Sequence, residues 1–228
     1  MKKSGIAIST YFGPNSHWNR KNIFLASVYS VLASGFDGKI VVVDDGSPTN
    51  EHLNGLYDIT SRIQYIKLPS GSGIARSKNA GITALGDCEY KFLADDDMLY
   101  NGDWWKLYVD ACEKTGIQHF SYYIPQLHHS PKAEIVTRND VRLIRHRELN
   151  GCLLFITNSV VNKIGMFVET ERKTWLEHPT FSRRCEINDL CPFFCDVYES
   201  RSYIRLNRSS YFCKAAMVRR TKTRRPTK

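Results

Sequence analysis

From the amino end, short apolar runs alternate with stretches of helical periodicity. Residues 5–10 (Gly-Ile-Ala-Ile-Ser-Thr) form an apolar run ending in small polar residues. That predicts a buried strand entering a loop at residues 11–15. Residues 21–34 place Ile23, Phe24, Val28, Val31 and Leu32 at helical spacing, and Gly35 stops the pattern. Residues 39–43 are a β-branched run that ends in Asp44-Asp45-Gly46-Ser47-Pro48. A helix is then expected from Thr49 or Asn50 to about Ser61, a strand over 63–68, a glycine/serine loop over 70–73 and a helix over 74–85. The next apolar run (Tyr90, Phe92, Leu93, Ala94) reads as another buried strand, and three consecutive aspartates, Asp95, Asp96 and Asp97, end it.

The order β-α-β-α-β-α-β over the first hundred residues implies an α/β fold with a doubly wound, mostly parallel central sheet and flanking helices. Such sheets bind ligands outside the carboxyl ends of their strands. Three polar clusters fall there: Ser9–Tyr11, Asp44–Asp45 and Asp95–Asp97. No G-x-G-x-x-G follows the first strand and no G-x-x-x-x-G-K-[ST] loop occurs, so neither a dinucleotide fold nor a P-loop is expected. After Tyr100 the pattern changes. A helix over 103–115 precedes strands at 118–125, 133–137 and 141–145, the last two joined by a turn at 138–140. A strand at 152–157, helices at 160–167 and 173–184, and strands at 192–198 and 203–206 follow. This half reads as a small antiparallel elaboration. One domain is expected over 1–218, in two halves (1–100 and 101–218), followed by a basic, disordered tail at 219–228.

Composition changes this picture little. The chain has 228 residues, 42% of them hydrophobic, enough for a core. No apolar run reaches the ~20 residues of a membrane helix. Met1-Lys2-Lys3 leads directly into strand-like sequence, so no signal peptide is expected. The seven scattered cysteines then read as reduced thiols in a cytoplasmic setting. Cys185, Cys191 and Cys195 lie near one another but lack C-x₂-C spacing, which favours buried structural thiols over zinc. The net charge is +9, but six of the positive charges lie in the last ten residues. The body is therefore mildly basic, without the stripe of a nucleic-acid binder. The tail suits at most weak contact with an anionic surface.

The aspartate triplet carries the chemistry. Adjacent carboxylates repel unless a cation or hydrogen-bond donors offset them. In an extended chain Asp95 and Asp97 would face one way and Asp96 the other. Oxygen ligands of this kind suit Mn²⁺ or Mg²⁺. The plain alternative is a solvated acidic turn.

The motifs IAISTYFGPN, IVVVDDGSPTNE, GIARSKNAGI and YKFLADDDMLY, in this order, resemble the GT-A fold glycosyltransferases of glycosyltransferase family 2, the SpsA-like group. A looser match runs through VNKIGMFVET and TWLEHPTFSRR. The resemblance covers residues 5–100 well and 155–185 loosely. It implies that 1–100 is the nucleotide-sugar-binding half and 101–218 the acceptor-binding half. It also implies a nucleotide-sugar donor, most simply a UDP-sugar, a divalent cation, and transfer with inversion to a hydroxyl of a glycan, glycolipid or glycoprotein. Carried over by position, Ser9 and Tyr11 would contact the base, Asp45 would accept a uracil N–H, and Arg76 would reach the base or phosphate. Asp97 would bind the metal, Asp95 would assist, and Asp96 would hold the ribose or sugar.

The catalytic base is where this chain departs from the family, which often has Glu-Asp after a Gly-x-Phe turn. Here Gly165-Met-Phe167 is followed by Glu177-His178. Glu177 is the expected base and His178 the second choice, with Asp189 and Asp196 less well placed. Trp104, Trp105, Tyr122, Tyr123 and Trp175 are candidates for stacking on a sugar, and Arg205 and Arg208 for clamping a diphosphate. A nucleotidyltransferase shares the sheet and acidic site but needs a basic loop after the first strand, which Tyr11–Asn15 lacks. A scaffold led by the basic tail is the non-enzymatic alternative.

Overall fold

The computed structural model describes residues 2–14, 16, 19–56, 61–69, 71–124, 133–147, 151–169 and 177–207. The basic tail, Trp175, Arg208 and Cys213 lie outside them. A six-stranded sheet runs in the order β3-β2-β1-β4-β9-β6. Its strands are β1 (Ser4–Thr10), β2 (Lys39–Asp44), β3 (Ile63–Lys67), β4 (Tyr90–Asp95), β6 (His119–Ser121) and β9 (Leu153–Thr157). The first four pair in parallel, and β9 is antiparallel to both β4 and β6. Helices α1 (Arg20–Ala33), α2 (Ile74–Leu85), α3 (Trp104–Thr115), α4 (Asn158–Ile164) and α5 (Glu177–Ile187) flank it. β1, β2 and β4, read as continuous apolar runs, are buried on both faces, as a covered parallel sheet requires, while the edge strand β3 is partly exposed.

The expected helix from residue 49 to 61 does not form across the described residues. A short 3₁₀ turn, Glu51–Leu53, stands there instead, and its His52 and Leu53 are buried. The 118–125 strand is reduced to β6, and 192–198 to β10 (Cys195–Val197). A strand not foreseen, β5 (Met98–Tyr100), follows the aspartates and pairs antiparallel with β11 (Ile204–Leu206). This pairing brings the late chain to the triplet: the Asn207 N–H donates to the Asp97 carbonyl at 2.8 Å.

The predicted hairpin of β7 (Glu134–Arg138) and β8 (Val141–Arg145) is present, and β10 extends it. Its two turn residues, Asn139 and Asp140, both have positive φ, 48° and 63°. Asn and Asp tolerate that region, and the turn's twist matches that of the strands it joins.

The core centres on Phe92 of β4, packed edge-on to Trp104 at 4.8 Å, Tyr108 at 5.8 Å and Phe155 at 5.3 Å. Trp104, Trp105, Tyr122 and Tyr123 are all buried. They are core residues and not an acceptor platform, because their large apolar area stabilises more inside than on a wet surface. Cys185, Cys191 and Cys195 are buried free thiols, and burial pushes the Cys191 thiol up to about 12.

Candidate active site

Strand register sets the site. Ser9 lies opposite Asp95 on one side and Val43 on the other, and Thr10 lies opposite Asp44. The carboxyl ends of β1, β2 and β4 are therefore level, and their polar residues share one edge. The expectation that Asp95 and Asp97 alternate along one extended chain is corrected here. The strand ends at Asp95, and Asp96–Asp97 form a two-residue turn into β5.

Each aspartate has its own surroundings. Asp95 is the partly exposed one, and the Lys78 ammonium of α2 lies 3.1 Å from its Oδ1. Asp96 is buried; the Thr10 hydroxyl donates to its Oδ2 and the Arg20 guanidinium to its Oδ1, both at 2.5 Å. Burial pushes the Asp96 carboxyl up to about 6, with Asp97 and Asp95 adding repulsion, while Arg20 and Thr10 pull it back. Asp97 is buried as well. The Tyr100 hydroxyl is buried beside Asp95 and Asp97 and has no hydrogen-bond partner among the described residues.

The nucleotide side is built on β2 and α2. Asp44 is fully buried. Burial alone would raise its carboxyl, but the nearby His52 imidazole and hydrogen bonds from Ser47 and Tyr65 hold it at about 2. The close donors are the Ser47 hydroxyl at 2.5 Å and the Tyr65 hydroxyl at 2.8 Å, while His52 Nε2 stands off at 3.5 Å. Ser47 Oγ also accepts the Phe12 N–H at 2.9 Å, and the Phe12 ring stacks on His52 at 4.1 Å. This buried cluster fixes the loop that carries the exposed Tyr11.

Asp45, the partly exposed carboxylate of the pair, accepts the Gly73 N–H with both oxygens, at 2.9 and 3.0 Å. It therefore caps α2, where the helix dipole favours a negative charge. Gly73 has φ +88°, a conformation that suits glycine. Arg76 is exposed, and its Nε donates to Glu169 Oε2 at 3.0 Å. Reaching a base or phosphate would require that pair to open.

The two candidates for the base stand at the start of α5. Glu177 opens α5, and its carboxyl is raised by burial and by Asp95, while Lys78 opposes the rise. His178 is buried; burial lowers its imidazole to about 3, and Lys78 acts in the same direction. Its Nδ1 has no hydrogen-bond partner among the described residues, and its Nε2 lies 3.8 Å from Glu177 Oε1. A methyl group on Gly151 would occupy the space of the imidazole, so only glycine admits the ring there. Asp196 lies away from this edge. It is fully buried and accepts from Tyr108 and Ser200 hydroxyls and from the Tyr123 and Val197 N–H groups. Arg205, on β11, is exposed. Of two clefts of about 200 and 220 Å³, the first is lined by none of the candidate site residues, and the second has only Asp189 among the candidates for the base.

A model of the glycosyl transferase family 2 domain matches residues 16–198. The chain belongs to glycosyltransferase family 2. It is 31% identical over 212 residues to the uncharacterized glycosyltransferase R363 of Acanthamoeba polyphaga mimivirus, covering 91% of this chain and 82% of that one. Among solved structures it resembles Staphylococcus aureus TarS 1–349 in complex with UDP-GlcNAc. The TM-score is 0.60 at 14% identity, over 82% of this chain and 54% of TarS 1–349. It also resembles GalNAc-T7 with UDP, GalNAc and Mn²⁺. There the TM-score is 0.59 at 14% identity, over 79% of this chain and 40% of GalNAc-T7. The chain thus spans about half the length of these structures, and the likeness shows the GT-A fold. Family membership favours the glycosyltransferase reading over the nucleotidyltransferase and scaffold readings.

Within this family 2 domain, sequence reasoning missed Arg20, Lys78 and Tyr100. Arg20 starts a helix, where a lone arginine reads as surface charge. Lys78 stands in a helix beside Ser77 and Asn79 in what looks like a polar face, yet all three are buried. Tyr100 had one available signal, its spacing of three residues from Asp97.

Proposed function

We propose that this chain transfers a sugar from a UDP-sugar to an acceptor hydroxyl of a glycan, glycolipid or glycoprotein, with inversion and with Mn²⁺ or Mg²⁺ as cofactor. The observation that carries the reading is the three aspartates Asp95–Asp97 at the carboxyl end of β4, level with the ends of β1 and β2, in a family 2 chain. Neighbours of the same fold are described with UDP, UDP-GlcNAc and Mn²⁺.

The donor set fits a hard cation in one particular way. Among the described residues no three His, Cys, Asp or Glu side chains gather as a complete metal cage. Cations that bind phosphates use one or two carboxylates and complete their shell with phosphate oxygens and water. Asp97 and Asp95 supply those two carboxylates, and Lys78 neutralises Asp95 in the meantime. When bound, the cation offsets the negative charge that develops on the leaving diphosphate. Arg20 and Thr10 hold Asp96 toward the ribose or sugar. Tyr11 offers an exposed ring to the base beside Ser9, and Asp45 an acceptor. Glu177 takes the proton of the attacking hydroxyl on the face opposite the leaving group.

The test is calorimetry of UDP with and without Mn²⁺. Wild type should gain affinity from Mn²⁺, and Asp97→Ala should lose about 10- to 100-fold of it, the scale on which metal sites respond to damage. Equal UDP affinity under all four conditions would sink the metal assignment. The role given to Asp45 has its own check. Asp45→Asn should weaken UDP by about 1–3 kcal/mol, the cost of an unmatched polar group. CDP, which lacks that N–H, should weaken less. A mere loss of the α2 cap would weaken both nucleotides alike.

A further inference from the structure

We infer that Asn79 is a positioning residue. It clamps the 165–167 turn to α2, and through that turn it holds α5 and Glu177 in register with the aspartate edge. Both polar atoms of this buried amide are used. Its Nδ2 donates to the Phe167 carbonyl and to Glu169 Oε1, each at 3.0 Å, and its Oδ1 accepts the Phe167 N–H at 2.9 Å. A backbone unit gripped at both its N–H and its C=O can neither slide nor rotate. The Phe167 ring then stacks on Phe181 of α5 at 4.2 Å and 17°, and meets His178 edge-on at 5.8 Å. Arg184, also on α5, donates to the Met166 carbonyl at 2.8 Å. The chain of contacts runs from α2 through one turn to the first two turns of α5.

The same helix touches the donor side at two further points. Gly73, its cap, is bound by Asp45, and Lys78, next to Asn79, is bound by Asp95. One rigid element therefore spans the base-reading carboxylate, the acidic turn and the turn that supports Glu177. Successive residues of a helix point about 100° apart. Adjacent Lys78 and Asn79 therefore serve the two sides separately. An alanine at 79 frees the turn and leaves the Asp45–Gly73 and Lys78–Asp95 contacts in place; on the donor side it removes only one bond to Glu169, which Arg76 still holds.

The kinetic consequence rests on the proposed glycosyltransferase activity, whereas the mechanical one does not, so two measurements are made on the full chain. Amide hydrogen exchange reads local opening. Asn79→Ala should speed exchange in residues 166–169 and in α5 while α2 keeps its protection. Phe167→Leu retains the clamp and removes the ring stack. It should loosen α5 but leave 166–169 protected, and it decides the matter if Asn79→Ala fails to fold. In turnover assays both variants should hold UDP affinity within about twofold and lose about 10- to 100-fold in kcat for acceptor transfer, the effect of a misplaced catalytic group. Unchanged exchange in α5 in both variants overturns the inference. So does a loss of UDP affinity in step with kcat. A wild type that turns over no UDP-sugar would overturn the proposed function, and exchange alone would then decide the clamp.

Discussion

Glu177→Gln should lower acceptor-dependent transfer by about 10²–10⁴-fold while UDP and cation binding hold. The substitution keeps the shape of the side chain and removes the proton acceptor. His178→Asn should cost much less, and the structure gives the reason. A neutral histidine acting as base would ordinarily show a pH limb near its reference value of about 6.5. Burial and the nearby Lys78 ammonium lower His178 to about 3, so the imidazole is neutral but a poor acceptor of protons. Glu177 is shifted the other way, up from the ordinary glutamate range, mainly by burial. A stronger base results, and transfer should decline as pH falls through that raised value. The pH profile of kcat/KM and the two variants check the assignment together. Normal transfer by Glu177→Gln with a dead His178→Asn would reverse the roles. If both stay active, the base lies elsewhere. Asp196 is then a poor substitute, since four donors within the core already hold it.

What was legible in the sequence follows from the same physics. β1, β2 and β4 are buried on both faces, so they read as unbroken apolar runs, and polar residues mark where each leaves the sheet. The site edge was visible for that reason. The 49–61 segment was not, because a stretch with His52, Leu53 and Leu56 fits helical spacing, whereas its described residues form a 3₁₀ turn over Glu51–Leu53. Which of Asp44 and Asp45 is buried was not separable by pattern alone. It depends on three-dimensional partners: Ser47, Tyr65 and His52 enclose Asp44, and Asp45, partly exposed, meets Gly73. Charged residues that neutralise a buried carboxylate are the hardest to see. Arg20 and Lys78 acquire their meaning from Asp96 and Asp95, 76 and 17 residues away. Asp95 and Asp97 do not alternate along one extended strand, because the backbone turns at Asp96–Asp97.

Asp196→Ala should destabilise the fold by about 3–5 kcal/mol, since it strands two backbone N–H groups and two hydroxyls in the core. Asp196→Asn gives the more discriminating result. Burial pushes Asp196 up to about 7 and Asp96 up to about 6. The Tyr108 and Ser200 hydroxyls can turn round to accept a proton from the neutral acid. Between about pH 4 and 6, both aspartates keep protons in the folded chain that they have released in the unfolded one. These two groups therefore make stability rise as pH falls. His119 and His178 do the opposite. Burial lowers them to about 4 and about 3, so the unfolded chain binds two protons that the folded one refuses, and stability falls with pH. Stability changes with pH by about 1.4 kcal/mol per unit for each proton of difference, so these groups oppose one another in this window, with Glu177, also raised, on the side of the aspartates. Asp44, held at about 2, loses its contribution as pH falls from the ordinary aspartate value toward that one, at and below the bottom of the window. Removing the Asp196 proton takes one group from the side that gains stability on acidification. Asp196→Asn should then lose about 1.4 kcal/mol more than wild type for each unit of acidification between pH 6 and 4. Urea midpoints at pH 6.0 and 5.0 measure it, and parallel shifts in the two proteins would show that Asp196 is ionised in the folded chain throughout.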